Sequence, residues 1–186
     1  MDIDYLMEMT AFDLAGSINS ILRVGARISS VTSESAAFEF DPKTKSIVCS
    51  DVPVRVIAGN EKGNKLTCQS YEFVLMLAQR CTRECPELLD IPDELLYAVY
   101  CCLHEFGHLQ FALQCSKREL AELSRKRTEA INQLDRGIQE QANRGLSETV
   151  CRRQREFNYH SIFLEKKADE FADDNMRRVM PRLLSV

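Results

Sequence analysis

Two of the chain's three histidines, His104 and His108, stand four positions apart with a glutamate after the first, in the run His104-Glu105-Phe106-Gly107-His108. On an α-helix, positions four apart share one face, so both imidazoles can meet one metal ion while Glu105 flanks the same cleft. Two ligands and a candidate general base thus fall within one short run, the arrangement that activates water on zinc in hydrolytic centres. Short motifs of this kind also arise by chance in helices that contain histidine and glutamate. The surroundings weigh against accident. Leu95, Leu96, Val99, Cys102, Leu103, Phe106, Leu109, Ala112 and Leu113 recur at helical spacing and place the motif in a largely apolar helix over residues 92–115. A histidine pair beside a glutamate is costly to bury there unless something satisfies it, and a metal ion would. Pro92, Asp93 and Glu94 supply the first turn of that helix.

A catalytic zinc usually takes three protein ligands and leaves a fourth position for water, so one ligand must come from elsewhere in the chain. His160 and a downstream carboxylate are the candidates. In Glu165-Lys166-Lys167-Ala168-Asp169-Glu170-Phe171-Ala172 the first glutamate and Asp169 share a helical face that Ala168 and Ala172 keep small. A helix built this way can press against the motif helix, present Glu165 to the metal, and use Asp169 to accept a hydrogen bond from a ligand histidine. His160 reads in the first instance as a partly exposed helix histidine. Replacement ligand and, with Tyr159, oxyanion stabiliser are its other readings.

With these two blocks, the sequence resembles the gluzincin metallopeptidases, in which a His-Glu-x-x-His helix is completed by a glutamate on a later helix. Glu165-x-x-Ala168-Asp169 is similar to the second motif of HtpX-type peptidases. With Phe171 and Ala172 added it resembles the Glu-x-x-Ala-Asn-x-Phe-Ala pattern of the small ImmA/IrrE-type peptidases, Asp169 standing where those have asparagine. The resemblance implies one zinc ion held by His104, His108 and Glu165, with Glu105 as base and Asp169 behind a ligand. It also implies peptide-bond hydrolysis on a protein or peptide substrate. The fold implied is an α+β, zincin-like domain: a small antiparallel or mixed sheet packed on a helical bundle that carries the motif helix. A non-catalytic protein that keeps the zinc fold for regulation or interaction is the alternative, and Glu105 discriminates, since a structural site has no use for a base.

The elements that must position these residues are legible in outline. Thr10 to Asp13 resembles a capping box before Leu14, Ile18, Ile21 and Leu22, which predicts a helix to about Val24. Residues 25–34 read as a loop. Residues 36–40 and 46–50 flank Asp41-Pro42-Lys43-Thr44-Lys45 and predict a hairpin, and Val52, Val54 and Val56 predict a third strand at a sheet edge, where Pro53 is tolerated and an extended substrate could pair. Residues 59–65 read as a turn or loop. Ser70 is a candidate cap for a helix closed by Pro86. Between the two metal motifs, residues of about 116–158 form a charged helical insertion with a sparse stripe of Leu120, Leu123, Ile131, Leu134, Ile138 and Leu146, broken near Asn143-Arg144-Gly145. A last helix runs over residues 147–178 and ends at Pro181.

With 186 residues and no linker-like tract, the chain reads as one domain spanning 1–186. Net charge of -4 and 45% hydrophobic content make nucleic-acid binding a poor expectation. The insertion is locally basic, but acidic residues are interspersed, so it reads as a solvated face laced with ion pairs. The first residues carry Asp2, Asp4 and Glu8 in place of a basic start, and no long apolar run occurs, so a cytoplasmic protein without a membrane partner is expected. Oligomeric state stays open. The eight cysteines include no Cys-x-x-Cys pair and read as small buried hydrophobes, with a cysteine-ligated zinc as the weaker alternative.

Overall fold

Helices and a short mixed sheet alternate in the first third of the chain, after which the fold is entirely helical. The computed structural model describes residues 2–32, 37–64 and 68–185. Its helices are α1 Ile3–Glu8, α2 Ala11–Leu22, α3 Val54–Gly63, α4 Cys68–Thr82, α5 Asp93–Gln114, α6 Lys117–Asn143, α7 Glu148–Tyr159 and α8 Phe163–Leu184, with a single 3-10 turn at Pro86–Leu88. The strands are β1 Arg27–Val31, β2 Phe38–Asp41 and β3 Ser46–Ser50, in the order β1-β3-β2. Among the described residues no helix is long and apolar enough to cross a membrane.

The α5 helix is the centre of the molecule. Leu95, Leu96, Val99, Cys102, Leu103, Phe106 and Leu109 are buried along one face, and Ala98, Tyr100, Gly107 and Ala112 extend the buried surface around most of the helix. Its most extensive partner is α8, whose Ala168, Ala172, Met176, Val179 and Met180 are fully buried. The approach is close because of Gly107: a Cβ there would lie 2.7 Å from the Ala168 Cα and 2.8 Å from its carbonyl oxygen. Leu113, which continues the apolar periodicity, is instead half-exposed near the helix end.

The hairpin forms where turn chemistry predicts it. Asp41 accepts from the Lys43 amide at 2.9 Å and the Thr44 hydroxyl at 2.6 Å, closing the turn between β2 and β3. Lys45, in the left-handed region at φ 49°, sends its ammonium to the Ala112 carbonyl near the C-terminus of α5, which ties the hairpin to the motif helix. Ala36 lies outside the described residues.

The expected third strand and the loop after it are replaced by a helix. Val54 and Ala58 are buried and Ile57 is half-buried, a helical face that the same valines also spell, and Pro53 stands at the cap where its missing amide costs nothing. Residues 52–53 meet the start of α2 through an isolated bridge, the Ala11 amide donating to the Val52 carbonyl and the Val54 amide to the Met9 carbonyl. Conversely, the expected loop at 25–34 contains β1, which pairs parallel with β3 from Arg27↔Ser46 to Val31↔Ser50. The preceding turn is held by Asn19, which accepts from the Ala26 amide and donates to its carbonyl.

Thr10 caps α2 by accepting from the Asp13 amide at 3.1 Å, as its sequence predicts. The short α1 before it has no counterpart in the sequence reading. Helix α4 begins two residues before Ser70. The charged segment is two helices broken at Gly145, whose φ is 90°, and α6 opens with a full capping box between Ser116 and Glu119. The last segment is also two helices, separated at 160–162, and α8 runs a turn past Pro181 because Leu183 is anchored in the core.

Cys49, Cys81, Cys102 and Cys151 are buried, and no disulfide joins the described cysteines. Burial pushes the Cys49 thiol up to about 12, so it behaves as an apolar side chain.

Candidate metal centre

The polar residues of α5 gather where the helix crosses α8 and the edge of β2. His104, Glu105 and His108 bring ligand atoms within 4.8 Å of one another. From α8, Glu165 reaches the same point: its Oε2 lies 3.3 Å from His104 Nε2 and 3.4 Å from His108 Nε2. Ligands about 2.0–2.1 Å from a tetrahedral ion are spaced about 3.3–3.4 Å apart, so these separations match the edges of such a site. The two imidazole rings stand at 89° to each other with centroids 4.7 Å apart, edge to face. No cysteine belongs to the metal-capable group among the described residues.

Small residues make this convergence possible. Gly107 and Ala168 face each other between the two motifs, and each lies within a turn of a ligand. Any larger pair would hold Glu165 away from the histidines.

Asp169, one turn beyond Glu165, bonds His104 Nδ1 at 2.9 Å, which directs the opposite nitrogen of the ring toward Glu165. Its second oxygen bonds His160 Nδ1 at 2.7 Å. Thus one carboxylate orients two histidines. His160, expected as a partly exposed helix histidine, stands at the C-cap of α7 with its side chain 11% exposed and stacked on Phe73, ring centroids 4.8 Å apart. The break between α7 and α8 at 160–162 turns His160 inward, a tertiary feature with no local sequence signature.

Glu165 is fully buried. Burial alone would raise its carboxyl, but the bonds to His104 and His108 and the charge of Arg127 hold it well below the usual carboxylate range. Asp169 is also lowered despite burial, by His104 and His160. Burial would depress His104, yet the carboxylates of Asp169 and Glu165 outweigh it and raise the imidazole to about 10. The two buried carboxylates thus keep their charge and are balanced by His104 and Arg127.

Arg127 of α6 is the participant that sequence reasoning missed. Its Nε bonds Glu165 Oε1, and its Nη2 donates to the Tyr159 hydroxyl at 2.9 Å. A signal was present: Leu120, Leu123, Ile131 and Leu134 mark the inward stripe of α6, and 127 is a stripe position occupied by a charge.

Glu105 stands within 4.8 Å of the ligand atoms of both histidines and is held from the β2 side. The Ser50 amide donates to the Ala37 carbonyl, and the pairing Phe40↔Ile47 follows three residues on, so Phe40 directs its amide away from β3. That amide donates to Glu105 Oε2 at 2.8 Å, leaving Oε1 for other partners. The residue stands between two cavities. One, of 450 Å³, is lined by Phe38, Val74, Tyr97, His104 and His160; the other, of 330 Å³, by Phe40, His108, Phe111 and Arg127.

No known protein family, curated protein or solved structure matches this chain.

Proposed function

We propose that the chain is a zinc metallopeptidase of gluzincin type, on a zincin-like domain, with His104, His108 and Glu165 as ligands and Glu105 as general base. One observation carries this reading: the spacing of Glu165 Oε2 from the two Nε2 atoms, 3.3 and 3.4 Å, on an independent helix. Zinc fits the donor set of two imidazoles and one carboxylate, and when bound it supplies Lewis-acid activation of water.

The remaining work belongs to the chain. Glu105, with one oxygen held by the Phe40 amide, accepts the proton of the attacking water and delivers it to the leaving amine. Its place between two cavities lets an extended peptide pass on both sides of the base. The strand available to such a peptide is β2, since residues 54–57 are helical; Phe38 presents its amide and carbonyl to the open side and Phe40 its carbonyl, the Phe40 amide being held by Glu105. His160, held through Nδ1 by Asp169 and lining the larger cavity, serves the oxyanion as an imidazolium through Nε2, while the Tyr159 hydroxyl, which accepts from Arg127, keeps its own proton as an alternative donor.

Glu105→Gln is the test. The variant keeps zinc at parental stoichiometry and loses cleavage of a peptide library followed by mass spectrometry. Equal cleavage by variant and parent would refute hydrolysis through this base, and parent protein purified without chelator but lacking stoichiometric zinc would remove the metal.

A further inference from the structure

Helix α6 is largely solvent-exposed, with Leu120 as its buried residue. Its ion pairs to Glu122 and Glu129 join exposed partners and fix little. Arg127 differs in kind. It occupies the inward stripe and pairs with a carboxylate that is wholly buried. The two oxygens of Glu165 are divided: Oε2 faces both histidines, while Oε1 is taken by the Arg127 Nε. The guanidinium is held in turn by Tyr159, through the Nη2 bond at 2.9 Å and by lying 6.0 Å from the ring centroid.

We infer that Arg127 is a positioning residue of the metal centre: by occupying Oε1 it makes Glu165 a one-oxygen ligand and fixes that oxygen at the histidines. The charged helix between the two motifs is then a component of the site, contributing through a residue outside both. This rests on the zinc reading of the site. The physical argument is that a carboxylate with a free second oxygen can swing to bind through both or rotate away, and a bond to that oxygen removes the choice. Arginine suits the task because its planar fork reaches two acceptors in fixed directions; lysine offers a charge but cannot span Glu165 and Tyr159 in the same way.

The test uses the full chain with zinc and, separately, cobalt(II) as a spectroscopic substitute. Arg127→Lys and Arg127→Met are compared with Arg125→Met, an exposed arginine one turn-face away. Competition against a chromophoric chelator is expected to show zinc held at least about tenfold more weakly in both Arg127 variants and unchanged in Arg125→Met. The visible bands of the cobalt protein should weaken in the Arg127 variants as Glu165 begins to bind through both oxygens. If Arg127→Met does not fold, Arg127→Lys, which keeps the charge, carries the comparison. Parental zinc affinity and cobalt spectrum in the Arg127 variants, with zinc lost in Glu165→Ala, would overturn the role of Arg127 alone. Zinc retained in Glu165→Ala would overturn the ligand set and this inference with it.

Discussion

Gly107→Ala tests the link between packing and the metal centre, because two opposing effects of known size meet at one atom. In a helix interior, alanine is favoured over glycine by about 1 kcal/mol, so the substitution in isolation should stabilise α5. Here the new Cβ would lie 2.7 Å from the Ala168 Cα, 2.8 Å from the Ala168 oxygen and 3.0 Å from the Phe171 Cβ. Comfortable carbon contact begins at about 3.5 Å, so the α8 backbone must retreat by roughly 0.8 Å. The obstruction is backbone, which cannot rotate aside, and overpacking of this kind costs about 1–3 kcal/mol. The clash therefore offsets or exceeds the gain, and the net expectation is a loss of up to about 2 kcal/mol. The same retreat carries Glu165 from its 3.3 and 3.4 Å separations by several times the about 0.2 Å that a metal–ligand distance tolerates. Urea unfolding of metal-free protein reads the first effect, and chelator competition for zinc reads the second. A variant as stable as the parent, with zinc affinity intact, would show that the α5–α8 approach does not set the site.

Asp169→Asn should lower zinc affinity about 10- to 100-fold by loosening both His104 and His160, measured by the same competition, while Glu105→Gln leaves that affinity unchanged. Acid titration of the metal-free protein probes the buried carboxylates. Glu165 and Asp169 have pKa values below those of their unfolded forms, so each contributes stability that is complete above the ordinary carboxylate range and is lost as pH falls toward the depressed values. The urea midpoint should therefore fall below about pH 4, and the fall should be shallower in Asp169→Asn. A pH-independent midpoint in that range would contradict the buried pairing.

What local chemistry dictates was legible. The Thr10 cap, the Asp41 turn and the break at Gly145 each depend on residues only a few positions apart, and each lies where its residues predict. The apolar periodicity around His104 and His108 likewise announced a buried helix, and the face of Glu165, Ala168, Asp169 and Ala172 announced a helix able to approach it. Where one stretch satisfied two periods, burial decided. Val52, Val54 and Val56 alternate like a strand, but Val54, Ile57 and Ala58 also form a helical face, and the neighbouring core took the second. β1 has little pattern of its own and exists because β3 offers it a partner, a pairing that spans the intervening hairpin.

The constellation itself was decided only in three dimensions. His104 and Glu165 lie 61 positions apart, and nothing along the chain dictates that their atoms stand 3.3 Å from each other. That distance follows from a glycine facing an alanine across two helices. Nor does spacing announce that Asp169 orients two histidines, or that Arg127 closes over Glu165. Residue types and helical period determined which side chains could serve a metal, because those are properties of short segments. Which of them meet depends on the packing of segments distant in sequence, and only the tertiary structure sets that packing.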